Sequence, residues 1–203
     1  MDPNSNANWT QVETKHFDLD LQVDFDAHVL RGHVIHHMMA IAAVDEVHLD
    51  TKDVKLLQIS WRLNAQSDWH SLVSWSLGPV HACFGQLLRI SLPEQQKQGA
   101  AFELKVEYET KPECSAVQWL KPEQTAGKLH PYLFTQCQAI HARTMMPCQD
   151  TPAVKATYTS VVRVPKPLHA LMSALSKGDP EIQGQTLIYS FEQKTPIPVR
   201  IVT

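Results

Sequence analysis

The sequence predicts an all-β fold, and two features of the chain lead to that prediction. Apolar and polar residues alternate over several short stretches, as they do in a strand with one buried face. Glycine and proline residues separate these stretches, and no segment longer than about ten residues places apolar residues at helical spacing. Many short strands with regular turns indicate a sandwich, a barrel or one large curved sheet.

The first predicted strand covers residues 17–25, where Phe, Leu and Val alternate with acidic residues and glutamine. The same alternation predicts strands at residues 88–92 and 102–108. Other candidate strands lie at residues 47–49, 54–63, 158–164 and 187–191. Residues 168–175 are ambiguous, because the two prolines before them fit a helix start or an edge strand.

Composition indicates one ordinary globular domain over residues 1–203, with 43% hydrophobic and 19% charged residues. A formal net charge of −3, with Lys and Arg scattered singly, argues against a nucleic-acid or membrane partner. The first ten residues show no signal peptide, so we expect a cytoplasmic protein. In the cytosol the four cysteines are expected to be reduced thiols, although a Cys137–Cys148 disulfide stays open.

Motifs for common chemistries are missing from these 203 residues: there is no His-Glu-x-x-His helix, nucleophile elbow, P-loop or dinucleotide fingerprint. His33 and His37 would share a strand face but lie about 13 Å apart, and His36 would point the other way. Cys137, His141 and Cys148 lack a fourth ligand for zinc. We therefore expect no metal site and no catalytic residue in this chain, with a Cys137–His141 nucleophile as a minor alternative.

Two glutamines are better candidates for binding, because Gln136 and Gln138 project the same way from an extended segment. A neutral amide donates and accepts hydrogen bonds, which suits a peptide amine or backbone. From these residues alone, a polar ladder on a sheet face is the favoured interpretation, and binding is the alternative. Nearby, Arg143 and Asp150 bracket a turn and predict a structural clamp. We expect Pro147 and Cys148, inside that turn, to be structural as well.

The segment from Ala116 to Tyr158 combines these glutamines with an aromatic stretch around Trp119, Tyr132 and Phe134, which predicts an irregular packed loop. Its Gln-Cys-Gln-Ala-Ile-His and Pro-Cys-Gln-Asp-Thr-Pro sequences resemble the N-terminal domain of the M-one family of zinc aminopeptidases. The resemblance is nearly continuous over residues 108–197 and weaker over residues 14–105. It implies a large, saddle-like, mostly antiparallel β-sheet domain.

The resemblance also implies roles for three residues. The glutamine matching Gln138 lines the family's substrate cleft beside the zinc site and helps to hold the free amino terminus of a peptide. Gln136 and Ala139 belong to the same strip. The sequence is most similar to the branch of the family that also hydrolyses an epoxide.

The family's zinc ligands, its catalytic tyrosine and its helical C-terminal domain would all lie beyond residue 203. The resemblance therefore implies an N-terminal substrate-cleft domain that is inactive alone, with zinc as cofactor only in the full-length family. Implied partners are a peptide in the full-length protein, and either the missing catalytic domain or a second copy on an exposed apolar face. A stand-alone binding module remains the alternative.

Overall fold

The computed structural model of the chain describes residues 2–202, which contain fourteen strands and one four-residue α-helix. The strands are β1 (Val12–Asp24), β2 (Val29–Ala40), β3 (Val44–Thr51), β4 (Val54–Arg62), β5 (His70–Ser71), β6 (Trp75–Leu77), β7 (Gln86–Gln96), β8 (Ala101–Thr110), β9 (Val117–Leu120), β10 (Tyr132–Thr135), β11 (Ala156–Pro165), β12 (Leu175–Ser176), β13 (Glu181–Gln183) and β14 (Thr186–Ile197). The helix α1 covers Ala142–Met145. The predicted all-β class is confirmed. No helix within residues 2–202 has the length and apolarity to cross a membrane.

Nine strands form the main sheet, in the order β12-β14-β11-β1-β2-β8-β4-β5, with β13 pairing beside β14. Only the β1–β11 pair in this sheet is parallel; the other pairs among residues 2–202 are antiparallel. This arrangement confirms the expected large, mostly antiparallel sheet. Two smaller sheets accompany it, a β9–β10 hairpin and a three-stranded sheet ordered β3-β7-β6.

The alternating stretches form strands because one side of each can be buried. In β1, Phe17, Leu19 and Leu21 are at most 5% exposed, while the residues between them face outward. The equivalent positions of β8 are at most 1% exposed. Buried residues of the three-stranded sheet, such as Val47 and Leu88, belong to the same hydrophobic cluster. The two sheets therefore share one core, which supplies most of the driving force for folding.

Three local features differ from the sequence-based expectations. Residues 168–174 form neither a helix nor a strand, and only the two-residue strand β12 follows them. The expected irregular loop contains a hairpin, since β10 pairs with β9 from Tyr132–Leu120 to Thr135–Val117. Side chains of β10 alternate between the two faces of this hairpin. Tyr132 is therefore 55% exposed and Phe134 41% exposed, and neither is packed as expected. Helix α1 is a single turn of four residues, which is too short for a periodic pattern of apolar residues to predict it from the sequence.

Candidate functional site

The candidate site is an exposed row of side chains that runs along β10 and past its end. Tyr132, Phe134, Gln136 and Gln138 are exposed, whereas Cys137 between the glutamines is fully buried. The backbone N–H of Gln136 donates to the carbonyl of Ala116 at 2.8 Å, which extends the hairpin pairing by one residue. The alternation of side chains along β10 therefore continues through residues 136–138, and it places both glutamine side chains on the exposed face.

The two glutamines differ in their hydrogen bonding. The Gln136 side-chain Oε1 accepts a 2.9 Å hydrogen bond from the backbone N–H of Gln138, so this amide folds over the chain. Within residues 2–202, the side-chain amide of Gln138 has no hydrogen-bond partner. Ala139 is exposed beside it, and the peptide bond between Gln138 and Ala139 is cis. The donors and the acceptor of Gln138 are therefore free to bind another molecule.

The glutamines are followed in the chain by residues 142–151, which are buried without interruption and which we call the buried base of the glutamine strip. The Cys137 thiol lies 3.5 Å from the carbonyl oxygen of Val202, and burial raises its pKa to about 12. The imidazole of His141 is instead bonded to the hydroxyl of Ser115, Nδ1 to Oγ 2.7 Å. Cys137 and His141 thus form no nucleophile–base pair, because the thiol is neutral and the imidazole is engaged elsewhere.

Arg143 and Asp150 meet in the buried base, where Arg143 Nε donates to Asp150 Oδ2 at 2.9 Å. The same guanidinium donates to the carbonyl oxygens of Phe84 and Asn4, each at 2.8 Å. The Asp50 carboxylate lies 3.5 Å from Arg143 Nη1. Burial raises the pKa of Asp150, and its hydrogen bonds from Arg143 oppose that change. This pair ties the N-terminal segment and the loop before β7 to the turn after α1.

Pro147 and Cys148 hold this turn against the main sheet and the three-stranded sheet. The Pro147 carbonyl oxygen accepts a 3.0 Å hydrogen bond from Nε2 of His36 on β2. The backbone N–H and C=O of Cys148 pair with those of Asp50 at the end of β3, at 3.1 and 2.8 Å. Burial raises the pKa of the Cys148 thiol well above its usual value. All four cysteines are free, and the thiols of Cys137 and Cys148 belong to the core.

The histidines singled out in the sequence do not come together. His36 is buried and faces Pro147, whereas His33 and His37 lie on the opposite face of β2. A different group does form on that outer face: His16, Asp18 and His37 place ligand atoms within 4.8 Å of one another. The sequence analysis missed it because His37 comes from a second strand. Only the β1–β2 register, which pairs His16 with His37, brings the three residues together.

Comparison with known proteins identifies the family to which this fold belongs. Residues 13–199 match the family profile described as the peptidase M1 N-terminal domain. The chain belongs to the M1 peptidase family. The predicted resemblance to the M1 zinc aminopeptidases is therefore confirmed.

Individual M1 relatives cover the whole chain. It is 40% identical to leukotriene A-4 hydrolase from Xenopus laevis, over 99% of the chain and 32% of that protein. It is 39% identical to leucine aminopeptidase 2 from Chaetomium globosum, over 97% of the chain and 31% of that protein. The chain thus spans about a third of the length of the curated relatives that it matches.

Solved M1 structures agree with this assignment. The native leukotriene A-4 hydrolase of Saccharomyces cerevisiae superposes on all of this chain with a TM-score of 0.84 and 30% identity, covering 30% of the yeast chain. The M1 zinc metallopeptidase of Deinococcus radiodurans matches 95% of the chain and 41% of its own, with a TM-score of 0.74. At 19% identity the second likeness supports the fold alone.

Proposed function

We propose that this chain is the N-terminal, substrate-cleft domain of a longer zinc aminopeptidase and that its glutamine strip binds the amino terminus of a peptide. The observation that supports this most directly is the unpartnered, exposed amide of Gln138 on a fully buried base. A polar group that is held by a rigid support but makes no internal hydrogen bond is suited to an external ligand.

The chemistry of the strip fits a peptide amino terminus. The carbonyl oxygen of the Gln138 amide can accept from an ammonium group, and its NH2 can donate to the first peptide carbonyl. Gln136, whose own oxygen is taken up by the Gln138 backbone N–H, fixes the conformation of the strip. Ala139 adds no bulk beside it. A neutral amide also avoids the desolvation cost of a charged group in a cleft.

Peptide hydrolysis itself would need zinc ligands from outside these residues. Residues 1–203 contain no His-Glu-x-x-His motif. Zinc would polarise the scissile carbonyl and activate a water molecule, which is the chemistry it supplies in peptidases. This chain would contribute binding and orientation. The 203-residue chain alone is accordingly expected to cleave no aminoacyl amide.

A surface for the remaining part of the enzyme lies next to the strip. The rings of Tyr132 and Phe134 stack with centroids 6.2 Å apart on the exposed side of the hairpin, and Leu129 before them is 76% exposed. Exposed aromatic and aliphatic side chains in one place favour association. The catalytic domain of the longer protein is the proposed partner, and a second copy of the chain would occupy the same surface in its absence.

The proposal is tested by replacing the N-terminal third of the Xenopus relative with this chain and measuring hydrolysis of an aminoacyl amide. We expect an active chimera, in which Gln138→Leu lowers kcat/KM by about tenfold, as for one or two lost hydrogen bonds. Gln98→Leu is the matched control, since Gln98 is also exposed and without a hydrogen bond among residues 2–202. Equal kcat/KM for both variants would remove Gln138 from the binding site.

The stand-alone binding module is the second candidate, because the free Gln138 amide is a property of the chain by itself. This function predicts that the 203-residue chain binds a fluorescent peptide with a free amino terminus. It should not bind the same peptide with an acetylated amino terminus. Fluorescence anisotropy measures both. If neither peptide binds while the chimera is active, the binding-module function is excluded and the cleft-domain function stands.

A further inference from the structure

The outer face of the main sheet carries a polar row that crosses five strands. Cross-strand pairing places Thr157 of β11 beside His16 of β1, His16 beside His37 of β2, and His37 beside Glu103 of β8, which in turn pairs with Arg62 of β4. Directly paired residues on one face have Cβ atoms about 4.5–5.5 Å apart. The register therefore fixes two imidazoles side by side with a polar neighbour on each flank.

Asp18 completes the group from the next outward position of β1. Its Oδ2 lies 2.6 Å from His37 Nε2, and its Oδ1 lies 3.3 Å from His16 Nε2. Thr159 on β11 also donates to Oδ1 and holds the carboxylate in place. Both imidazoles consequently direct the same ring nitrogen, Nε2, at one carboxylate.

The other ring nitrogens are held by neighbouring groups. His16 Nδ1 lies 2.7 Å from the Thr157 hydroxyl, and His37 Nδ1 lies 3.5 Å from Glu103 Oε1. Glu103 is itself anchored by Arg62, whose Nε donates at 2.6 Å. Histidines that bind metals generally have their second nitrogen bonded in this way, which sets the tautomer and the ring orientation.

From this geometry we propose that His16, Asp18 and His37 form a binding site for a divalent transition-metal ion, with Zn²⁺ as the best fit. Two imidazole nitrogens and one carboxylate oxygen are ligands that Zn²⁺ takes at about 2.0–2.2 Å. Ligands on a tetrahedral ion lie about 3.4 Å apart, so small side-chain rotations suffice. The ion replaces the protons that join the two Nε2 atoms to Asp18.

The site is open to solvent on one side, since the three side chains are 30%, 39% and 35% exposed. Water can therefore complete the coordination shell. The site lies on the sheet face opposite His36 and Pro147, and so away from the buried base of the glutamine strip. It is distinct from the zinc that peptide hydrolysis would need, which no residue of this chain is proposed to hold.

The test is calorimetric titration of ZnCl2 into the tag-free 203-residue chain after treatment with EDTA. We expect one equivalent bound, and at least a hundredfold loss of affinity in His37→Gln and in Asp18→Asn. Thr157→Val, which removes only the partner of His16 Nδ1, should weaken binding by about tenfold. His33→Gln is the matched control: it lies on the same face of β2, four residues from His37, and should leave the affinity unchanged.

Each variant is first checked by circular dichroism in EDTA, where it should show the β-sheet spectrum of the unaltered chain. If a variant is unfolded, Co²⁺ absorption of the unaltered chain still decides. Intense ligand-field bands show that protein ligands have replaced water in a four- or five-coordinate ion, and the absence of a thiolate-to-cobalt charge-transfer band excludes the cysteines as ligands. No binding by the unaltered chain, or equal weakening by His33→Gln and His37→Gln, would overturn the proposal. Peptide kinetics do not enter this test, so its outcome is independent of the aminopeptidase function.

Discussion

The guanidinium of Arg143 is the shared cationic partner of two buried carboxylates, contacting Asp150 at 2.9 Å and Asp50 at 3.5 Å, and all three side chains are at most 1% exposed. Asp50 has further donors: Ser5 Oγ and the backbone N–H of Asn6 donate to it at 2.6 and 2.7 Å. The network therefore fastens the N-terminal segment beneath the turn that supports the glutamine strip.

Replacing Arg143 by Met should destabilise the chain strongly, because it leaves both carboxylates buried without their cation. Removal of one partner of a buried ion pair costs about 3–5 kcal/mol in free energy of unfolding. Urea denaturation followed by tryptophan fluorescence measures it. Arg163→Met is the control: its ion pair with Asp20 is about a third exposed, so the loss should be at most about 1 kcal/mol. Similar losses for both variants would contradict a special role of the buried pair.

Tyr108 offers a second stability test, because its side chain is fully buried and its hydroxyl has no hydrogen-bond partner within residues 2–202. Burying a hydroxyl without a partner costs about 1–3 kcal/mol. Tyr108→Phe should therefore leave the free energy of unfolding unchanged or raise it. Tyr189→Phe should lower it by about 1 kcal/mol, since that hydroxyl is 2.8 Å from His169 Nδ1. A loss of stability in Tyr108→Phe would mean that the hydroxyl does have a partner.

The acid sensitivity of the fold should depend on His36. Burial lowers its pKa to about 4, whereas an imidazole in the unfolded chain titrates near about 6.5. As the pH falls below 6.5 the unfolded state binds the proton first, so the free energy of unfolding decreases until pH 4, by roughly 3 kcal/mol. Above pH 6.5 this effect is absent. His37, on the outer side of the same strand, adds to the lowering, and the facing Cys148 thiol stays neutral.

His36→Met isolates that contribution, because carboxylates elsewhere titrate equally in both proteins. Between pH 6.5 and 4, in EDTA, the free energy of unfolding should fall less steeply with decreasing pH in the variant. The difference in slope should correspond to the uptake of nearly one proton on unfolding. Parallel curves for the two proteins would mean that His36 is already protonated in the folded state.

Local patterns predicted the fold more completely than the site. The strands at Phe17 and Phe102 follow from alternation within one segment, and that alternation survives because one sheet face is buried. The exposure of Gln136 and Gln138 follows from the same rule. Contacts between distant segments do not: the His16–His37 pairing depends on strand register, and the fastening of Arg143 to Asn4 and Phe84 depends on how loops meet. No pattern within either segment encodes them.

Substitution of Gln138 should affect peptide binding without affecting the stability of the fold. Its side chain is exposed and makes no hydrogen bond within residues 2–202, so Gln138→Leu should change the free energy of unfolding of the 203-residue chain by less than about 0.5 kcal/mol. Cys137→Ser, one residue earlier, should cost at least about 1 kcal/mol, because it puts a hydroxyl into a fully buried position of the core. Urea denaturation of the two variants makes the comparison. A large loss in Gln138→Leu would identify the amide as a structural group and leave it unavailable for a peptide.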